Sequence, residues 1–290
     1  MVEYTIITDS GCDLSADMVA QMGLGYTPLS LNYPDKSLYI YADYRGLGVK
    51  EFYQSMRDGA APTTSATTSD QWVQNAIPEL EAGKDVLFMA FSSGLSGTYQ
   101  SSVIAAQELR EQFPGRRIEA PDTRCVSLGL GLLLYHVVNL QRQGASMDDV
   151  LAYIEENKLH LCHWFTVESL TYLQRGGRVS RATALAGTIL GIKPVLHVDN
   201  EGHLINVGKK RGRRASLEAL ADKVAETAIR PEEQMIFISH GDCEEEAVLL
   251  EQLIRQRVPI KDCYHNYVGP VIGAHSGPGT MAVFFYGTQR

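Results

Sequence analysis

The 290-residue sequence is poor in cysteine. Its five cysteines (Cys12, Cys125, Cys162, Cys243 and Cys263) are odd in number, scattered, and never spaced C-x-x-C, which excludes a disulfide framework or a zinc-ribbon pattern. Positive charge is also in short supply: 26 Lys and Arg face 34 Asp and Glu, a net charge of −8. Proteins that grip nucleic acid or an anionic bilayer through a broad face are usually basic overall, so neither partner is expected here. Long apolar runs are missing too. The longest, Leu128 to Val138, is too short to span a bilayer, so no stable membrane insertion is expected. The opening Met-Val-Glu-Tyr-Thr-Ile-Ile has neither the basic nor the apolar segment of a secretory signal. The expectation is a soluble, reduced, cytoplasmic protein.

What is present is an ordinary globular mixture, 44% hydrophobic and 21% charged, long enough for one large or two moderate domains. The first half alternates strands and helices. Tyr4–Thr8 is a β-branched run ending at Asp9-Ser10-Gly11, and a helix starts near Ser15. Asp85–Phe91 is continuously apolar, as expected of a strand covered on both faces. Helices follow over Thr98–Gln112 and Ser127–Gln141, and Ser146 caps another whose first turn carries Asp148 and Asp149. A short strand is expected at Arg117–Glu119. This rhythm predicts an α/β/α sandwich around a parallel sheet over residues 1–160.

The second half, 161–290, reads as an α+β domain with a mixed sheet. Glycines cluster at Arg175-Gly176-Gly177-Arg178, at Ala186-Gly187 and at Gly191. Lys193–Val198 and His203–Val207 form a hairpin around Asp199-Asn200-Glu201-Gly202, followed by a helix from Ser216, a strand Met235–Ser239, a helix Glu244–Gln256 and a strand Met281–Tyr286. No linker separates the halves, so a broad interface is expected, and ligand sites favour such interfaces.

Three hydroxyl-rich segments could carry chemistry. Ser92-Ser93-Gly94-Leu95-Ser96-Gly97-Thr98 joins the carboxyl end of a buried strand to a helix, where α/β sheets bind ligands and free N–H groups favour an anion. A plain helix cap needs only one such hydroxyl. Pro62-Thr63-Thr64-Ser65-Ala66-Thr67-Thr68-Ser69 reads as a loop before a helix near Asp70. Gly273-Ala274-His275-Ser276-Gly277-Pro278-Gly279-Thr280 reads as a tightly turned backbone that could place a proton carrier at His275. The hydrolase elbow G-x-S-x-G fails at Thr98, and the P-loop lysine is missing after Gly279. His160, Cys162 and His163 alternate across a presumed strand without a second ligand pair, and Asp9 with Asp13 suits a turn better than a cation. No cofactor is expected.

In order along the chain, Asp9-Ser10 with Asp13-Leu14, Pro62-Thr63-Thr64-Ser65, Ser92 to Thr98, Leu173 to Arg178, Gly191 to Pro194 and His275 to Thr280 resemble the motifs of the DegV family of bacterial fatty-acid-binding proteins. The resemblance implies two α/β domains enclosing a long-chain fatty acid in a tunnel between them. It implies that hydroxyls of the two Ser/Thr loops hold the carboxylate, principally Thr64 and Ser93, with Ser65, Ser92, Gly94 and Ser96 beside them. His275 and Ser276 would lie near the carboxylate, and Arg178 matches the arginine of the Gly-Gly-Arg motif. It further implies a separate kinase that phosphorylates the bound acid to an acyl phosphate. Two departures stand out: Ala66-Thr67 replaces the usual Gln-Pro, and His275-Ser276 replaces His-Thr.

A carrier of this kind needs no nucleophile or metal of its own. The alternative is a hydrolase or phosphotransferase acting on acyl substrates through Ser93 and His275. The basic run Lys209-Lys210-Arg211-Gly212-Arg213-Arg214 is expected to be a partner surface, with Lys209 and Arg211 meeting the kinase or the phosphoryl group. Without its five cations the chain holds 21 basic and 34 acidic residues, a balance of −13, so the run stands out against an acidic body.

Overall fold

The computed structural model describes residues 3–181 and 191–290; the expected glycine site at Ala186-Gly187 lies outside them. The alternating first half yields β1 (Tyr4–Asp9), β2 (Gly25–Thr27), β3 (Ser30–Asn32), β4 (Ser37–Tyr39), β5 (Thr63–Ser65), β6 (Asp85–Met89) and β7 (Ile118–Glu119). Four of these form a parallel sheet in the order β2-β1-β6-β7. Helices Ser69–Glu81 and Thr98–Gln112 cover one face, where Trp72, Val73 and Leu109 bury Ile7, Val86 and Phe88. The helix Ala16–Met22 starts at a Ser15 cap as the sequence predicts, and Ser146 forms a capping box with Asp149 at the head of Met147–Asn157.

The second half supplies β8 (Leu161–Thr166), β9 (Ile192–Val198), β10 (Leu204–Arg211), β11 (Met235–His240), β12 (Asp262–Tyr267) and β13 (Met281–Tyr286). They form one mixed sheet, β10-β9-β8-β13-β11-β12, in which only the β11–β12 pairing is parallel. Helices Arg213–Thr227 and Glu244–Arg255 cover its outer face through Leu217, Leu220, Leu250 and Ile254.

Between the two sheets runs the helix Leu128–Arg142, whose sequence LGLGLLLYHVV is apolar nearly all the way round. Such a helix has little surface to give to water, and it is buried from Leu128 to Leu134 and at Val137 and Val138, with Arg142 at its end exposed. Here it belongs to one continuous core that reaches from Ile6, Leu87 and Met89 of the parallel sheet to Phe165, Phe237 and Phe284 of the mixed sheet. The chain is therefore layered as helices, parallel sheet, central helix, mixed sheet, helices.

Three local expectations are corrected. The Pro62–Ser69 segment is not wholly a loop: Thr63–Ser65 is β5, which pairs with β3 in a small antiparallel sheet, β4-β3-β5. Three-residue strands are too short to display a period-two pattern. The His275 segment is a helix, Pro270–Ser276, with Pro at its first turn and Gly277 at φ +83° after its end, the ordinary boundary signals of a helix. The basic run divides, its first three cations on β10 and Arg213 and Arg214 opening the helix Arg213–Thr227, ahead of the expected start at Ser216.

Truncating the central helix tests whether the two sheets share one core. Leu133→Ala, at a fully buried position of that core, should cost about 2–5 kcal/mol. Denaturant unfolding followed by both fluorescence and far-ultraviolet circular dichroism should remain one coincident transition, shifted to lower midpoint.

Candidate functional site

A cavity of about 790 Å³, counting its mouth, lies where the two halves meet. Leu29, Phe91, Leu95 and Val126 line it from the first half, and Phe165, Val198, Leu204, Ala282 and Phe284 from the mixed sheet. Val268, Val271 and Ile272 close it beside the helix Pro270–Ser276. The wall is overwhelmingly apolar, as the walls of small-molecule sites are. Two clusters of polar groups lie at or beside it.

The first is the buried turn Asp9–Asp13 at the carboxyl end of β1, the end of a parallel sheet at which α/β folds place ligands. The Asp9 carboxylate accepts the N–H groups of Gly11 and Phe91, both at 2.7 Å. Ser10 Oγ accepts the N–H of Leu29 at 2.9 Å. Asp13 accepts the Ser127 hydroxyl at 2.5 Å and the Gly269 N–H at 3.0 Å. Ser127 Oγ in turn lies 3.1 Å from Ser239 Oγ on β11. Apart from the Gly11 bond, which closes the turn itself, each bond pins a residue that lines the cavity or one next to it. Burial pushes both carboxyls up to about 7, against these hydrogen bonds, which favour the ionised form.

The second is the corner formed by Thr64, His275, Ser276 and Arg178. Strand alternation turns Thr64 inward while Thr63 and Ser65 face out. Thr64 Oγ1 lies 2.7 Å from His275 Nε2. The ring of His275 packs on Gly176, where a Cβ would sit 2.2 Å from Nδ1, so the Gly-Gly-Arg motif makes room for this histidine. Burial, then the charges of Arg178 and Arg175, lower His275 to about 4, so the imidazole is neutral at pH 7. Arg178 donates to the carbonyls of Gly176 at 2.5 Å and Leu95 at 3.1 Å, and makes no ion pair among the described residues. Buried Ser276 Oγ and His275 Nδ1 lack hydrogen-bond partners among the described residues.

Of the residues singled out from sequence, Thr64, Ser96, Arg178, His275 and Ser276 line the cavity. The Ser92–Gly97 loop mostly spends its donors on itself and on the hairpin β9–β10. Ser92 Oγ contacts the Gly202 carbonyl at 3.4 Å and accepts the Gly94 N–H at 3.2 Å. Gly94 lies so close to the hairpin turn that a Cβ would sit 2.7 Å from the carbonyl oxygens of Glu201 and Gly202. Ser93 turns outward, its hydroxyl 2.5 Å from Asp122 Oδ2, and does not line the cavity. Ser96 Oγ accepts the N–H of Thr98, the first residue of the following helix, at 3.2 Å. Ser65 accepts from Asn32 Nδ2 at 2.9 Å on the outer side of β5, while Lys209 and Arg211 are exposed on β10.

Sequence reasoning missed Ser127, Ser239 and His163, which also line the cavity. The signals were faint: a serine heading the apolar helix, a serine near the end of MIFISH, and a histidine in register with Leu161 and Phe165 on the inner face of β8. His163 Nε2 accepts the Val126 N–H at 3.2 Å, and its Nδ1 donates to the Leu161 carbonyl at 2.9 Å. Desolvation, with Arg290 nearby, holds it far below the usual histidine range and hence neutral. Among the described residues, no trio of His, Cys, Asp or Glu at metal-ligand spacing lines the cavity.

The sign of the Asp13 effect is checkable. An unfolded aspartate ionises near 3.9, the folded one near 7, so the unfolded chain binds fewer protons between those values. Asp13 therefore makes wild-type stability fall as pH rises from about 4 to 7. Asp13→Asn should remove that contribution, and chemical unfolding at pH 5 and pH 8 should show the variant losing less stability than wild type across the interval.

A family model described as "Uncharacterised protein, DegV family" matches residues 3–288. A DegV domain-containing protein of Clostridium perfringens is 43% identical over 290 residues, covering 100% of this chain and 99% of that protein. Among solved structures, a DegV family protein of Thermus thermophilus, titled for fatty acid binding, superposes with a TM-score of 0.87 at 32% identity, over 98% of this chain and 99% of that one. DegV of Bacillus subtilis, titled a fatty acid binding protein, gives 0.81 at 28% identity over 98% and 99%. With its whole length matched, and with the fold described above, this chain belongs to the DegV family.

Proposed function

We propose that this protein binds a long-chain fatty acid in the interfacial cavity, with its carboxylate in the Thr64–His275–Ser276 corner and its chain along the apolar wall. The observation that carries the reading is a greasy cavity with a polar corner beside an arginine that has no carboxylate partner among the described residues. Two relatives above 25% identity whose titles name fatty acid binding support the ligand class.

The energetics divide cleanly. Each buried methylene contributes about 0.8 kcal/mol, so a chain of about fifteen supplies roughly 12 kcal/mol before the costs of association. The polar corner need only keep the desolvated head group satisfied and fix its direction. With the proton on Nε2, neutral His275 donates to Thr64 Oγ1, which frees the Thr64 hydroxyl to donate to a carboxylate. Ser276 Oγ gains a partner, and Arg178 gains the opposite charge that its half-buried guanidinium lacks among the described residues.

An acyl-transfer reading through Ser93 and His275 finds less support. Ser93 is bonded to Asp122 and His275 to Thr64, so the nucleophile–base hydrogen bond it requires is not made. A histidine lowered to about 4 is also a weak base at neutral pH. The carrier reading extends to presentation of the bound acid to a separate kinase, with the exposed basic strand β10, including Lys209 and Arg211, as docking surface and Arg178 beside the phosphoryl group.

Mass spectrometry of material released on denaturing the purified protein should find a fatty acid in near-equal amount; protein that carries none and takes up none overturns the proposal. Thr64→Val should weaken retention about tenfold or more, the order of a lost hydrogen bond to a charged group. Ser93→Ala should stay near wild type, and an equal loss there would move the head group to the Ser92–Gly97 loop.

For the kinase step, Lys209→Glu with Arg211→Glu should lower acyl-phosphate formation by an added kinase several-fold while lipid retention is unchanged. Unaltered phosphorylation, or loss of both properties together, would remove the docking role.

A further inference from the structure

The outer face of the mixed sheet, away from the cavity, carries a cluster that the lipid-binding reading does not use. Cys263 and His265 stand two residues apart on β12, the edge strand, so both side chains leave the same face. Helix Glu244–Arg255 packs across that face and brings Glu251 onto them. His265 Nε2 lies 2.8 Å from Glu251 Oε2 and 3.2 Å from Cys263 Sγ, and all three ligand atoms fall within 4.8 Å of one another. Among the described residues this is the only trio of His, Cys, Asp or Glu so arranged.

We propose that Glu251, Cys263 and His265 bind a divalent transition-metal ion of the zinc class through three protein ligands and a fourth position open to solvent. The donor set selects the class. One imidazole nitrogen, one sulfur and one carboxylate oxygen suit a borderline ion, whereas calcium and magnesium prefer oxygen alone. A tetrahedral site with bonds of about 2.0–2.3 Å sets its ligands roughly 3.3–3.7 Å apart. The two spacings to His265 are slightly tighter, and side-chain shifts of about half an ångström admit the ion. Arg255 Nε donates to Glu251 Oε1 at 2.7 Å, which orients the carboxylate and leaves Oε2 toward the histidine, as an outer partner does at a metal centre. The side chains of His265 and Glu251 are 20% and 25% exposed, enough for an ion and a water to enter. A histidine–glutamate ion pair alone would have no use for the thiol beside it, which is a poor hydrogen-bonding group. Binding expels the thiol proton, so affinity rises with pH. The ion would fasten the sheet's edge strand to the covering helix.

The full-length protein, stripped with chelator, is titrated with Co²⁺ alone. The expected result is a near-ultraviolet thiolate-to-cobalt charge-transfer band that saturates at one ion per chain and is displaced by Zn²⁺. Cys263→Ser should abolish the band, His265→Ala should weaken binding at least tenfold, and Cys243→Ser should leave both intact. No charge-transfer band, or a band that survives Cys263→Ser, overturns the proposal. If Cys263→Ser fails to fold, X-ray absorption of the zinc-loaded wild type decides: one sulfur with nitrogen and oxygen neighbours supports the site, and a shell without sulfur refutes it.

Discussion

The cavity depends on the buried turn after the first strand. Four short polar contacts from Asp9, Ser10 and Asp13 hold Phe91, Leu29, Ser127 and Gly269, four separate segments of the chain. Charges and hydroxyls this deeply buried are tolerated only when their partners are in place, and losing one partner leaves the other unsatisfied at a cost of about 1–3 kcal/mol. The turn therefore behaves as a junction that is either wholly assembled or strongly penalised. Because its partners come from both halves, the two sheets are held at one spacing, and that spacing sets the width of the cavity.

The central helix supplies the apolar counterpart of that junction. Leu128–Arg142 feeds a core continuous with both sheets, so neither half presents a finished surface without it. Its first residue is preceded by Ser127, whose hydroxyl is spent on Asp13 and Ser239 and not on capping its own helix. One residue thus joins the helix, the buried junction and the cavity wall. Polar contacts give the interface its register, while apolar burial gives it most of its free energy.

The hydroxyl-rich loops divide their work in a way that follows from local geometry. At β5, alternation sends one hydroxyl inward and its neighbours outward. In the Ser92–Gly97 loop, tight turning and the approach of the hairpin at Gly94 use up most of the hydroxyls as turn bonds and clasps. A cluster of serines is thus a poor count of ligand contacts, because each hydroxyl first answers the nearest unsatisfied backbone group.

Much was legible in the sequence. The parallel and mixed sheets, the apolar helix expected over Ser127–Gln141 and found over Leu128–Arg142, the capped helices after Ser15 and Ser146, and the ordered motifs with their DegV resemblance all rest on local periodicity or short-range spacing. Thr64, His275 and Arg178 were named because motif residues stand out even without coordinates. The three-residue strands β3–β5 and the cavity roles of Ser127, Ser239 and His163 were not legible, since each depends on partners 37 to 114 residues away or on strands too short to show a period. Only the tertiary structure decided which hydroxyls face the cavity and which are consumed elsewhere. The sequence alone determined what each segment prefers; the packing of two sheets on one buried helix determined which side chains meet, because hydrogen-bond partners and desolvation exist only once distant segments share the same volume.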